Sequence, residues 1–477
     1  MLQAPLLPAG SPRRASREGG SASVGSSIIN LASTCMGTGL LALPAAFHAA
    51  GFTMGCILCV GCAGLTILSL YLLALGGARV DGPGPVTFYT LCEKVAPGSG
   101  RLVDCAVVVN CVGTAASYLI VACDCFSALG VDRHLVALAS VLACAPACHF
   151  QSVNSLRVTS SLAVGCLLGI AVMVVLFGFG EAGSALDPCP GRSAVPHGHC
   201  GSSLTMTATK PRRIWCALPL FINAFTCQQN AFNVLGELSR PTHDRQMAVI
   251  AGAPLLPMVI YLLVASCGYL TFGDGVASSV MNNYPNTPIT AAARSVLGVV
   301  VLCNYPLQIF PSRVSLASLY HSLQSCTPPH PPPPTAGGGG AGVHPFNLFA
   351  PPPQGSRNAG AVLARELRAS SAEKAEAASI FVTSRLDKVL VGALLFVTTA
   401  IALCVNNLGV VVAVVGSSGA TFIGLITPAA AHLLEQHASA HRLKPIDLHY
   451  LLVLALAALL LLVGLAVVPS LVFCGGA

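Results

Sequence analysis

Charge is what this sequence has least of. Asp, Glu, Lys and Arg make up 9% of its 477 residues, where a soluble domain carries about 25%. Hydrophobic residues reach 54% and the mean hydropathy is +0.75. An ordinary globular domain is thereby excluded, and a chain that crosses the bilayer many times is expected. The net charge is +7, but no basic block stands apart, which argues against nucleic acid as a partner. There is no GxxxxGK[ST] loop to cradle a nucleoside triphosphate. No apolar segment gathers paired carboxylates, or His with carboxylates, so no enzyme activity is expected. No Asn-x-Ser/Thr acceptor stands in the expected outer loops, and no repeat of 20–50 residues is visible.

What is present is a series of apolar runs. They predict eleven spans, at 25–50, 52–76, 102–128, 134–150, 158–180, 213–236, 246–272, 288–311, 386–406, 407–433 and 447–471. Residues 1–24 read as a disordered cytoplasmic tail. Residues 25–323 hold helices one to eight, and 386–477 hold helices nine to eleven. Between them, 324–385 is a disordered inner loop rich in Pro and Gly, whose RELRASSAEKAEAAS stretch suits a charged surface helix. The first apolar run is too long for a signal-peptide core and is expected to be retained. An odd number of spans puts the termini on opposite sides. With the N-terminus in the cytoplasm, eighteen of the 24 Lys and Arg residues fall inside, as the positive-inside rule requires. Lys210, Arg212 and Arg213 oppose that assignment from a longer outer loop.

The organising stretch is 25–50, GSSIINLASTCMGTGLLALPAAFHAA, which has no charged residue. Gly37-Thr38-Gly39 at its centre, and Pro44 beyond, weaken helical hydrogen bonding at membrane depth. Such a break is tolerated only where it is buried in protein or lines a cavity, and freed backbone groups there can bind a small zwitterion. The alternative is a closely packed helix with small residues at its contacts. The sixth span repeats the theme. Asn223, Thr226, Cys227, Gln228, Gln229 and Asn230 crowd into its apolar middle and are expected to face a cavity. Two interrupted spans, five apart and oppositely directed, are what an inverted repeat produces. Interhelical hydrogen bonding alone is the competing explanation.

Other features are less decisive. The third span carries Ser117, Tyr118 and Asp124, the last a candidate either for ion coupling or for an interface near the outer end. The tenth span offers Gly416, Gly419 and Gly424 for close packing. Its Ser417, Ser418 and Thr421 hydroxyls suit either a hard cation or their own backbone. Most of the 21 cysteines lie in apolar runs, and Cys56, Cys59 and Cys62 are better read as small apolar residues than as a metal site. Cys189 and Cys200 share the outer loop 181–212 and form a candidate disulfide. His197 and His199 between them leave a metal site as the alternative. No metal or cofactor is called for beyond a coupling ion.

Several segments together resemble the amino acid/auxin permease family, which includes sodium-coupled neutral and proton-coupled amino acid transporters. They are NLASTCMGTGLLALPAAFHAAG at 30–51, GTAASYLIVACD at 113–124, GELSRPT at 236–242, GYLTFG at 268–273, YPLQIFPSR at 305–313 and the tenth span running into Pro428. They occur in the family's order and cover most of the chain outside the tail and two loops. The short basic tail and the Ala and Cys content are similar to the protozoan branch. The resemblance implies an all-α polytopic fold of eleven transmembrane helices, built as a five-plus-five inverted repeat with helices one and six discontinuous. It implies a substrate carboxylate on Met36, Gly37, Thr38 and Gly39. The amino group would meet carbonyls near Asn30, Ser33 and Thr34 and around Asn223, Thr226 and Cys227. Ser33 and Asn304 align with positions that the sodium-coupled branch fills with Asn and Thr. That departure leaves H⁺ coupling, Na⁺ coupling and facilitation all open, with His48, Asp124 and Glu237 as ionisable candidates.

The expected function is secondary transport of free L-amino acids by alternating access, in the plasma membrane or, alternatively, a vacuolar or lysosomal one. An amino acid sensor that signals through its cytoplasmic segments is the competing class, and loop 324–385 is what raises it.

Overall fold

The computed structural model describes residues 22–78, 86–149, 157–180, 211–324, 386–405 and 407–439, short pieces within 184–207, and positions 455 and 462. Within them the chain is helical, with no strand beyond an isolated bridge between Ala22 and Leu238. The first expected span is two helices, α1 (Val24–Cys35) and α2 (Gly39–Ala50), bent by 57° at residues 36–38. Then follow α3 (Phe52–Ala78), α4 (Phe88–Val95), α5 (Gly100–Ser127), α6 (Arg133–Cys148) and α7 (Arg157–Gly178). The sixth span is also two pieces, α8 (Pro211–Ala224) and α9 (Ala231–Gly236), joined by residues 225–227 and a 3₁₀ turn at Gln228–Asn230. After α10 (His243–Phe272) and α11 (Pro288–Gln324) come α12 (Leu386–Cys404), α13 (Leu408–Val415) and α14 (Thr427–Ser439). Two π-helical turns, Gly416–Ala420 and Phe422–Ile426, link the last two.

The first ten expected spans each fall on a helix or a broken pair. Six described helices are long and apolar enough to cross a membrane, or seven with α1 and α2 counted together. The eleventh span, 447–471, lies outside the described residues except at Ala455 and Leu462. So do nearly all of the tail, the loop 324–385, and His197 and His199. Three features depart from the expectation. Helix α4 is an extra short element, started by a capping box in which Thr87 and Thr90 bond each other's backbone. Helix α11 runs on to Gln324, well past 311. The tenth span is helical but carries the two π turns, a local widening frequent at functional positions.

The two broken spans run in opposite directions. The Ala22 N–H donates to the Glu237 carbonyl at 3.1 Å, and the Ser239 N–H donates to the Ala22 carbonyl at 2.9 Å. The start of α1 is therefore tied to the end of α9, and α2 packs on α8. Around this pair pack α3, α7, α10 and α13. Outward positions are apolar, as at Phe396, which is 74% exposed. The glycines of the π segment work as contacts. A Cβ on Gly416 would overlap the Pro219 carbonyl of α8, and one on Gly419 would lie 2.6 Å from the Asn110 nitrogen of α5. The π segment is thus wedged between α8 and α5. The hydroxyls of Ser417, Ser418 and Thr421 donate to the carbonyls of Ala413, Val414 and Gly416, so they serve their own backbone. Between α7 and α8, Cys189 and Cys200 are joined, with Cα atoms 5.7 Å apart, a spacing that suits a disulfide.

A partly buried ion pair links α11 to α12. Arg313 Nη1 donates to Asp387 Oδ2 at 3.3 Å and to the Cys148 carbonyl of α6, and Nε lies 3.3 Å from Asp387 Oδ1. Arg313→Ala leaves Asp387 without this cation. Removing one partner of a fully buried pair costs about 3–5 kcal/mol, an upper bound here because the Asp387 side chain is 19% exposed. A clear fall in the melting temperature of the purified protein in detergent is expected. An unchanged melting temperature would contradict the assignment.

Candidate functional site

Both breaks lie where their sequences said helical hydrogen bonding fails, and one side chain serves both. The Tyr261 hydroxyl of α10 is 2.6 Å from the Cys35 carbonyl, at the end of α1, and 3.0 Å from the Ala224 carbonyl, at the end of α8. Tyr261 is fully buried, and its ring meets Phe225 edge-on at 5.2 Å. Helix ends leave carbonyls without intrahelical donors. The Cys35 carbonyl also accepts from the Gly37 N–H at 2.8 Å, and the hydroxyl placed between the two carbonyls adds a donor within reach of both breaks. The Phe225 carbonyl, one residue on, accepts from Thr66 at 3.4 Å and from the Cys35 thiol at 3.7 Å. Across the breaks, the Asn230 side-chain amide donates to the Thr34 hydroxyl at 3.2 Å.

Two adjoining cavities open around the breaks. The first is lined by Gly37, Thr38 and Gly39 at the start of α2, with Thr34, Cys35, Asn223 and Thr226. Asn110, Thr114 and Tyr118 of α5, Gln229, and Gln308 of α11 complete it. None of these residues is formally charged. At the start of α2 the Gly37 N–H donates to the Cys35 carbonyl at 2.8 Å, and the Leu40 and Leu41 N–H groups donate to the Gly37 and Thr38 carbonyls at 3.4 and 3.1 Å. The Thr38 and Gly39 N–H groups stand at the helix start, a position that suits an anionic carboxylate. The neighbouring cavity is lined by Asn30, Ser33, Thr34, Asn304 and Glu237 among others, and shares Tyr118 and Gln308 with the first. Ser33 and Thr34 donate to the Asn30 carbonyl at 2.7 and 3.3 Å. Thr38 and Ser117 are hydrogen-bonded at 3.1 Å, tying the α2 break to α5.

Most sequence-based candidates therefore meet here. Thr34, Gly37, Thr38, Gly39, Asn223 and Thr226 line one cavity, and Asn30, Ser33, Thr34 and Asn304 the other. Met36 and Cys227 sit at the breaks, but their side chains are in the apolar core. Asp124 is elsewhere. It pairs with Arg133 at 2.6 Å, accepts from Asn282 at 3.3 Å, and lines a separate open cavity with Arg294. The His48 ring lies 6.2 Å from that of Tyr269 and lines neither cavity at the breaks. Tyr261, Asn110 and Gln308 were not anticipated. A signal existed for the last two: Asn110, Thr114 and Tyr118 recur every four residues, as do Asn304, Gln308 and Ser312, which sets each series along one face of an otherwise apolar helix.

Two oppositely directed broken helices enclosing an uncharged polar cavity define a membrane transporter with discontinuous helices, and the overall fold agrees. The crystal structure of MhsT in complex with L-phenylalanine superposes with a TM-score of 0.53, covering 95% of this chain and 99% of that one at 11% identity. A Na⁺-coupled sialic acid symporter superposes at 0.50, covering 94% and 90%, also at 11% identity. At such identities the likeness is one of fold. The model of the transmembrane amino acid transporter protein family matches residues 20–471, and the chain belongs to that family. It is 28% identical to vacuolar amino acid transporter 6 of Saccharomyces cerevisiae over 62% of this chain and 66% of that protein. It is 27% identical to vacuolar amino acid transporter 5 of Schizosaccharomyces pombe over 90% and 89%. Putative sodium-coupled neutral amino acid transporter 11 of Rattus norvegicus is 25% identical over 63% and 66%. These relatives are named for transport, not catalysis.

The contacts rank three substitutions. A Cβ at Gly39 would lie 2.8 Å from the Ala224 Cα, whereas one at Gly37 would meet the Tyr118 hydroxyl at 2.9 Å. A tyrosine ring can swing aside; helix backbone cannot. Gly39→Ala is expected to lower amino acid uptake by at least about tenfold more than Gly37→Ala in the same vesicles, and equal effects would contradict the geometry. Tyr261→Phe keeps the ring and removes the shared donor, at a cost of about 1–3 kcal/mol. The expected result is slower uptake together with a lowered melting temperature. Wild-type values for both would show that the hydroxyl does not hold the breaks.

Proposed function

We propose that this protein is a secondary transporter that carries free L-amino acids across a membrane by alternating access. The observation that carries the reading is the uncharged polar cavity at the two breaks, lined by Gly37, Thr38, Gly39, Asn223 and Thr226. The substrate carboxylate would be held at Gly37, Thr38 and Gly39, beside Met36, and its ammonium group by carbonyls and polar side chains near Thr34, Asn223, Thr226 and Cys227. Opposed broken helices give such a site two routes of access, one along each pair of halves. Any driving force is an H⁺ or Na⁺ gradient, or the substrate's own gradient. Ser33 and Asn304, which share the neighbouring cavity with Asn30, present oxygens of the kind a hard cation takes. Asp124, held by Arg133, is the lesser candidate. The eleven-helix arrangement, with the N-terminus cytoplasmic and the C-terminus opposite, belongs to the same reading. The relatives' vacuolar names favour a vacuolar or lysosomal membrane over the plasma membrane.

The test is uptake of a panel of radiolabelled amino acids into proteoliposomes, with Na⁺ and pH gradients imposed separately. Saturable uptake is expected, faster under one gradient if transport is coupled, and lost in Gly37→Val. Saturable binding with no flux under any gradient would overturn the transporter reading and favour a sensor.

A further inference from the structure

The breaks account for the main-chain groups of a substrate, but they leave unused a set of acceptors in the same cavity. Asn110 and Gln308 are 1% and 4% exposed, and both line the cavity that holds Gly37–Gly39. The Asn110 Oδ1 and Gln308 Oε1 atoms are buried and have no hydrogen-bond partner, and the same is true of Gln229 Oε1. They come from three elements: α5, α11 and the 3₁₀ turn between α8 and α9. A buried side-chain carbonyl without a donor carries its full desolvation cost. Three such oxygens among the residues that line one cavity are acceptors that a ligand with N–H or O–H groups completes. No carboxylate lines this cavity, so selection rests on hydrogen bonding and not on charge.

We propose that Asn110, Gln229 and Gln308 form the side-chain subsite of the transporter and select amino acids whose side chains carry a hydrogen-bond donor. This rests on the reading of the cavity as the substrate site. With the carboxylate and ammonium groups held at the breaks, the remaining polar wall, on α5 and α11, faces the part of the substrate that distinguishes one amino acid from another. An aliphatic side chain of the same size would bury the three oxygens without partners. A site built to hydrogen-bond its ligand discriminates strongly against analogues lacking the group, whereas an apolar pocket discriminates weakly between similar shapes.

The experiment uses pairs matched in shape: asparagine against leucine, and glutamine against methionine. Initial uptake of each radiolabelled compound is measured in proteoliposomes of the full chain at low concentration. The donor-bearing member of each pair is expected to enter at least about tenfold faster. In Asn110→Leu and Gln308→Met, which keep side-chain size, the ratio is expected to fall below about threefold, chiefly through slower entry of asparagine and glutamine. Wild-type preference for the apolar members would overturn the subsite and leave the transporter reading standing. Glutamate entering faster than glutamine would overturn the donor preference. Variants that retain the wild-type ratio would show that other residues select. The wild-type ratios test the donor preference even where a variant fails to fold. Absence of uptake for every compound and gradient would instead remove the transporter reading, and this inference with it.

Discussion

A backbone carbonyl inside a membrane must find a donor within the protein, and this requirement arranges the centre of the molecule. Breaking two helices leaves the Cys35 and Ala224 carbonyls outside the regular helical pattern, the first met by the Gly37 N–H of the break itself at 2.8 Å. The Tyr261 hydroxyl lies within hydrogen-bonding distance of both. The two breaks must therefore stay side by side, because they share a donor. The Thr66 contact to Phe225 and the Asn230 contact to Thr34 extend the same logic to neighbouring groups. With the carbonyls satisfied in this way, polar side chains can line a cavity beside the glycines of α2.

Small residues supply the second condition. Gly39 sits against Ala224, Gly416 against Pro219 and Gly419 against Asn110. These contacts bring α2, α8, α5 and the π segment close enough to enclose the cavity. In a bilayer, helices gain little from hiding apolar surface from one another, since lipid is equally apolar, so association relies on close approach and hydrogen bonds. The many glycines and few charges of this sequence are consistent with that balance. Two charged pairs among the described residues, Asp124–Arg133 and Arg313–Asp387, stand away from the breaks.

Much of the fold was legible in the sequence because apolar run length maps directly onto membrane thickness. The breaks were legible too: Gly37-Thr38-Gly39 and the polar cluster from Asn223 to Asn230 violate the rules of a continuous apolar helix. What supports the breaks was not. Tyr261 looks like any aromatic residue in an apolar helix until its hydroxyl is seen to need a partner. Helix α4 is too short and too polar to register as a span. Asn110 and Gln308 were hidden by position, each inside a long and largely apolar helix, although their four-residue spacing with other polar residues marks a face. Asp124 illustrates the reverse. A carboxylate in a membrane helix invites a functional role, yet here it is matched by Arg133 on the next helix, which only the three-dimensional arrangement reveals.

The central claim is that the two breaks and the cavity between them form one amino acid site. It is tested most directly by a cryo-EM structure of the full chain with the amino acid that uptake measurements identify. The account predicts ligand density between Gly37–Gly39 and Asn223–Thr226, with its side chain towards Asn110 and Gln308. Density confined to the cavity beside Asp124 and Arg294, with the breaks empty, would contradict it.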